Sequence, residues 1–451
     1  MTTKLLNLPD LSSRSTYLLV GLAAVVVGAA LGLATSYLPL LVYLGVAGVL
    51  ACVFGFLMLR YTHWTVGAFF LAFALQTTLF SGFEVRGLYY PLYLLMLANG
   101  VMGLIAGRVK VSVGIVINYL LFFTVVVLSL FNIATPLDFE VFQRLFIYIL
   151  GFFVFFQFSS EQGFQTLIRV QVCAGFIVAG WVILDAAQGG FVGRGISEVD
   201  QNNVTSTIAL GMIPLFALQL FSKAGLWLRA LGWLALAGGI YATLLLASRG
   251  ISLALAVAFM VMFVRLLNNP RRSIPLVILA IAGAAMLASL PGSDNLAERF
   301  SQGDVASANG RVPLWTAAIR EINASPALQL IFGYGYNYTL LVTNRVVGFL
   351  YSVHNTYLQM TLDFGLLGVG LFLLLHATVI RLLWRFSDAL SLYGIGTVVF
   401  LLFSNLTLQA ADGFLYWVVL GTALAVAVWR RQTTQLPSPA NHTLVKRSLV
   451  K

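Results

Sequence analysis

One histidine and three arginines hold most of the chemistry this sequence could offer a ligand in water. His354 and Arg311 lie between Pro291 and Asp363, a long, mostly polar stretch in an otherwise almost continuously apolar chain. An unperturbed imidazole titrates near pH ~6.5, so His354 is the candidate for moving a proton near neutral pH. Arg311 opens Gly310-Arg311-Val312-Pro313, ahead of Trp315, Ala318, Ile319 and Ile322 at the i, i+3, i+4, i+7 spacing of an amphipathic helix. Pro313 suits a first helical turn, and Asn323-Ala324-Ser325-Pro326 ends the pattern with Arg320 and Glu321 toward water. Helix N-termini attract anions, so dipole and guanidinium together suit a diphosphate. The plainer alternatives are a surface arginine tolerating a slightly unfavourable dipole and a hydrogen-bonded structural histidine.

Arg249 stands in Ala247-Ser248-Arg249-Gly250, a short turn between two long apolar runs. Its alternative role is to snorkel to headgroup phosphates. Asp185 to Asn203 is glycine-rich, with Arg194 between Gly193 and Gly195 where the backbone could approach a ligand closely. It also contains Glu198-Val199-Asp200, an acidic pair with the look of a divalent-metal site but too short to carry that reading alone. Phe332-Gly333-Tyr334-Gly335-Tyr336-Asn337 is a glycine-aromatic turn, and Tyr351 to Tyr357 carries His354-Asn355 into the next apolar run.

The elements that must position these residues are membrane helices. With 60% hydrophobic and 9% charged residues, the chain departs from the roughly 25% charged composition of soluble domains. Apolar runs of about 17–25 residues, the length of a membrane-crossing helix, recur along it. They lack the alternation of barrel strands. Spans are predicted at 16–35, 38–59, 64–80, 89–106, 113–134, 145–158, 166–185, 204–221, 225–246, 250–267, 273–291, 364–384, 390–408 and 414–430. The fold class is thus all-α and polytopic, with about 12–14 spans. It divides into a cytoplasmic N-terminus 1–15, helical region 16–291, large outer loop 292–363, C-terminal helices 364–430 and a cytoplasmic tail 431–451.

Basic residues in short loops stay on the cytoplasmic side. With both termini inside, 18 of the 26 Lys and Arg residues face the cytoplasm, and 12 of the 15 acids face outward. The net charge of +11 is then mainly a topology signal, and no basic soluble face suits nucleic acid. The outer basic residues (Arg86, Arg144, Arg194, Arg249, Arg299, Arg311, Arg320 and Arg345) are all arginine, whose planar fork suits phosphate oxygens. His354 is the outer histidine; His63 and His442 fall inside, and His376 falls within a span near Arg381, close enough to be interfacial. Cys52 and Cys173 both fall in spans, which argues against a disulfide framework.

Ser248-Arg249-Gly250 between two spans, Gly310-Arg311 and Trp315 in a large outer loop, then Gly333-Tyr334-Gly335 and His354-Asn355 running into Phe364-Gly365-Leu366-Leu367-Gly368 together resemble the O-antigen ligase and O-antigen polymerase superfamily of bacterial envelope glycosyltransferases. The likeness covers roughly residues 200 to 380. It implies a GT-C-like fold in the bacterial inner membrane, with the large loop and its short helices in the periplasm. It also implies transfer of a glycan from undecaprenyl diphosphate to an acceptor hydroxyl, without nucleotide sugar, metal or other cofactor. His354 would be the base, Arg249 and Arg311 would stabilise the departing diphosphate, and Arg194, Asn355 and Tyr334 would bind substrate. The acceptor would be lipid A-core for a ligase or a second lipid-linked glycan for a polymerase. A single displacement would invert the anomeric centre; a retaining route would need a carboxylate such as Glu198, Asp200 or Asp363. A lipid or solute transporter is the rival from another class, but ion-coupled transporters place ionisable groups mid-membrane, and His376 is the only Asp, Glu, Lys, Arg or His lying away from the ends of a predicted span.

Overall fold

The computed structural model describes residues 62–78, 86–107, 113–134, 160–187, 198–246, 248–267, 311–408 and 413–435, with residues 148, 151, 153 and 154 between them. All belong to the second of two compact units, residues 62–451. Among the described residues the regular elements are helices, as expected where no water is present to satisfy an open backbone. They are α1 (Thr62–Thr78), α2 (Arg86–Ile105), α3 (Val113–Ser129, continued by a 3-10 turn), α4 (Glu161–Ala187), α5 (Glu198–Phe221), α6 (Leu226–Leu245) and α7 (Arg249–Val264). After these come α8 (Arg311–Ala324), α9 (Ala327–Phe332), α10 (Tyr338–Val347), α11 (Thr356–Leu383), α12 (Ala389–Ser404) and α13 (Phe414–Gln435).

Among the described residues five stretches are long and apolar enough to cross a membrane: Val113–Asn132, Glu161–Ala187, Asn202–Phe221, Leu226–Leu245 and Thr356–Leu383. They overlap predicted spans 113–134, 166–185, 204–221, 225–246 and 364–384, and the shorter apolar helices α7 and α12 overlap 250–267 and 390–408. The chain is an all-α polytopic membrane protein. Predicted spans 16–35, 38–59 and 273–291 lie outside the described residues, as do most of 145–158 and the loop's first part, 292–310. Both α4 and α5 begin several residues before their hydropathy boundaries, because backbone hydrogen bonding continues past the apolar window.

Lipid tails offer no hydrophobic drive for helix association, so close approach through small residues matters instead. At the α4–α5 crossing a Cβ built on Gly175 would lie 2.8 Å from the Cα of Gly211. On the other side of the bundle α3, α11 and α13 meet through Phe122, Phe372 and Trp417, with Phe122 stacked on Trp417 at 5.7 Å. Thr243 and Thr378 return their hydroxyls to carbonyls one turn back, so neither brings an unsatisfied donor into the apolar layer.

Helix α11 is broken at Gly365, whose φ of 70° and ψ of −177° are non-helical. Residues before the break belong to the loop; those after it form the straight span. A Cβ at Gly365 would sit 2.2 Å from the Ile331 carbonyl oxygen, so α9 presses on the break where glycine alone leaves room.

The helix ends sort into two layers. At one, Ser248 bonds to Asn202, the Gly250 backbone lies against Thr407, Thr356 bonds to Asn405, and the end of α3 takes up Tyr336. At the other, Arg265 donates to the carbonyls of Trp384 and Phe386, and Arg430 pairs with Asp388 at 2.7 Å. The first layer gathers ends predicted to face outward, and the second gathers ends predicted to face the cytoplasm.

Candidate functional site

Residues 311–355 fold over the first layer as α8, α9, α10 and an extended return to His354. Helix α8 runs from Arg311 to Ala324 as its spacing predicts, with a different buried face. Leu314 and Ala318 are buried, with Trp315 and Ile322 packed beside them, in a small core shared with Val342, Val353 and Leu362. Ile319 is 47% exposed; Leu314 takes the place expected of it. Glu321 is likewise not left to water. It accepts from the Tyr338 hydroxyl at 2.5 Å and pairs with Arg345 at 3.2 Å. Burial, and then that bond to the carboxylate, push the Tyr338 phenol above its ordinary range.

Each predicted motif occupies a defined place. His354 has φ 50°, and with Asn337 it is one of two non-glycine residues of positive φ among the described residues. Such strain persists only where the surroundings over-determine it. Here Trp315 Nε1 donates to the Val353 carbonyl at 2.9 Å and the His354 amide donates to Ser352 Oγ at 3.0 Å. On its other side, Asn355 Oδ1 accepts from the amides of Tyr357 and Leu358 and caps α11. The Tyr351 ring meets the imidazole edge-on, with centroids 5.1 Å apart.

The turn after α12, Asn405 to Leu408, gathers these motifs. A helix ends with carbonyls that lack intrahelical partners, and the loop supplies donors. The Thr356 amide donates to Asn405 O at 3.0 Å, Asn355 Nδ2 to Leu406 O at 3.1 Å, Arg311 Nη1 to Thr407 O at 2.8 Å and Thr356 Oγ1 to Leu408 O at 3.0 Å. Arg311 opens its own helix, where a cation is disfavoured, yet sits at the negative end of α12, where one is favoured. The Arg249 segment joins the same turn, since a Cβ at Gly250 would lie 2.0 Å from Thr407 Oγ1. The segments that carry Arg249, Arg311 and His354-Asn355 therefore meet on four consecutive residues through Gly250, Arg311, Asn355 and Thr356. Sequence reasoning passed over that turn; its signal was an asparagine and a threonine near the end of an apolar run.

A buried polar chain supports the turn from below. His376 Nδ1 faces the Phe372 carbonyl at 2.7 Å, so this nitrogen carries the proton and Nε2 accepts from the Tyr416 hydroxyl at 2.5 Å. Tyr416 in turn accepts from Asn405 Nδ2 at 3.0 Å, and Asn405 Oδ1 accepts from Thr356 Oγ1 at 2.8 Å. His376 is fully buried. Arg381, five residues on, stands about 140° around the helix, so the two side chains face different surroundings.

Tyr334 lies in the loop body. Its hydroxyl donates to Ser325 Oγ at 3.0 Å and its ring stacks on Tyr338 at 4.2 Å. Asp363 is buried and takes both the amide and the hydroxyl of Thr339 on Oδ1, at 2.9 and 2.7 Å, at the start of α10. Arg194 lies outside the described residues, and Glu198 and Asp200 stand in the first turn of α5. Among the described residues no three His, Cys, Asp or Glu side chains are grouped as metal ligands.

Residues 234–373 match the family model described as O-antigen ligase. This stretch is similar to O-antigen ligases. No curated protein matches the chain. The matched stretch contains Arg249, Arg311, Tyr334, His354 and Asn355, the residues on which the resemblance rested. It stops within α11, so the anchoring turn at 405–408, His376 and Tyr416 come from beyond the matched stretch. The likeness supports a membrane glycosyltransferase of the O-antigen ligase and polymerase type over that stretch of the chain.

Proposed function

We propose that this chain is an O-antigen ligase that transfers a glycan from undecaprenyl diphosphate to a hydroxyl of lipid A-core at the periplasmic face of the bacterial inner membrane. His354 takes the proton of the acceptor hydroxyl as its oxygen attacks the anomeric carbon. The bond from that carbon to the diphosphate oxygen breaks, and its electron pair leaves with the diphosphate beside Arg311 and Arg249. Guanidinium groups stabilise such a leaving group by charge and directed N–H donors, and one displacement inverts the anomeric centre. Asn355 sets the His354 backbone, Tyr334 braces the loop beneath the substrate, and Arg194 is a third candidate for the diphosphate. No metal or other cofactor takes part in this scheme.

The observation that carries the reading is the meeting of His354-Asn355, Arg311 and the Arg249 turn on residues 405–408. A transporter needs no such meeting of base and cations at one layer of helix ends. Its expected ionisable group, His376, is engaged at both ring nitrogens.

The test is a purified reaction in liposomes containing undecaprenyl-diphosphate-linked oligosaccharide, with and without lipid A-core and with and without EDTA. Product that requires lipid A-core and survives EDTA supports the proposal. A ladder of lipid-linked products without lipid A-core would replace ligase by polymerase, and no product in any tube would overturn glycan transfer.

A further inference from the structure

We infer that α9 is an interfacial anchor, seated in the acyl layer of the bilayer, that fixes the depth of the loop. Its Leu328, Ile331 and Phe332 are exposed by 65%, 46% and 54%, too apolar a set for a loop helix meant to face water. What covers them follows from where α9 ends. The Tyr334 and Gly335 amides bond to Leu362 O and Asp363 O at 2.8 and 3.2 Å, and Ile331 O presses on Gly365. The straight part of α11 starts there, with Leu366 and Leu367 exposed and Leu373 and Leu374 exposed farther along the span. The lipid-facing surface of the span therefore continues onto α9 across backbone contact. Apolar side chains lying along a bilayer surface bury their area among acyl chains near the headgroup boundary.

The consequence is a set depth for the loop. Helix α9 is tied to α8 through Tyr334 and Ser325, and α8 carries Arg311. An anchored α9 holds that arginine at the level where a lipid-borne anion emerges from the membrane.

The test uses the full chain with Cys52 and Cys173 replaced by serine, a single cysteine introduced by Phe332→Cys or, independently, Leu328→Cys, and a bimane label in nanodiscs. Leu373→Cys is the membrane reference and Arg320→Cys the water reference. We expect lipids brominated on the acyl chains to quench both α9 labels at least half as strongly as the Leu373→Cys label, and aqueous iodide to quench them less than half as strongly as the Arg320→Cys label. Quenching by iodide at the level of the water reference would overturn the anchor. Protection from both quenchers would also overturn it, by showing protein on this face, such as a second copy of the chain. The readout needs no glycan transfer, so failure of the proposed activity and failure of the anchor are separate results.

Discussion

Asn355 does two jobs that substitution can separate. Its oxygen caps α11 through two amides, and its Nδ2 ties the residue after His354 to Leu406 O. Asn355→Ala removes both: loss of an N-cap costs about 1 kcal/mol and loss of the bond to a carbonyl about another 1 kcal/mol. Asn355→Asp keeps the two acceptors and adds a charge at a helix N-terminus worth roughly 0.3–1 kcal/mol, which offsets much of the lost donor. The aspartate variant should therefore unfold in detergent within a few degrees of the parent, and the alanine variant clearly earlier. Both should transfer slowly, because an oxygen facing the Leu406 carbonyl, or no group at all, lets His354 drift relative to Arg311. A misplacement on the order of 1 Å costs about 100-fold. The assay pairs scanning fluorimetry with initial rates in the reconstituted reaction. A stable Asn355→Asp protein with the parental rate would refute the positioning role, and one as unstable as Asn355→Ala would refute the cap.

For His354 the informative change is His354→Asn, since asparagine tolerates positive φ and preserves the turn. Transfer should fall by about 100- to 10,000-fold, the usual contribution of a general base, with folding retained; a rate above a tenth of the parent would exclude that role. Arg311→Ala should lower the rate by roughly 100-fold or more, and Arg311→Lys should recover only part, because an ammonium keeps the charge without the fork; equal rates for parent and lysine variant would count against directed bonding. Gly365→Ala combines a φ of 70° with a Cβ 2.2 Å from Ile331 O, so the chain should lose at least about 2 kcal/mol, read as a lower thermal midpoint; an unchanged midpoint would show that the break is not obligatory. Tyr416→Phe removes the hydroxyl between His376 and Asn405. At about 0.6 kcal/mol for each bond in a membrane interior the loss is on the order of 1 kcal/mol, with a larger effect on transfer rate than on midpoint; an unaffected rate would detach this chain of bonds from the site.

The legible part of this protein was what hydropathy and short polar motifs express. Spans such as 113–134 and 225–246 announce themselves because hydrocarbon demands a long apolar run. The helix at Arg311 was marked by its proline and its stop at Ser325-Pro326. The buried face of that helix was less legible, since Leu314 and Ile319 satisfy apolar periodicity equally well and only the position of Val342 and Val353 decides between them. Glu321 looked solvated because its partners, Tyr338 and Arg345, lie on another helix. His376 could not be placed by counting from Arg381, because its partner Tyr416 arrives from α13. In each case the missing information was a contact between elements distant along the chain.

The 405–408 turn shows how such contacts assemble a site. Arg311, Arg249 and His354 stand on α8, α7 and the approach to α11, and nothing local fixes one relative to another. A helix terminus does, because its last carbonyls must find donors and are spaced by the backbone itself, with consecutive Cα atoms about 3.8 Å apart. Leu406 O takes Asn355 and Thr407 O takes Arg311, so adjacent peptide units hold the residue after His354 and the first residue of α8. The same geometry resolves the electrostatic cost of an arginine at the N-terminus of α8, which the negative end of α12 offsets. Asn405 then connects this ruler to Tyr416 and His376 within the membrane layer, so a change there should reach transfer through the spacing of the loop residues.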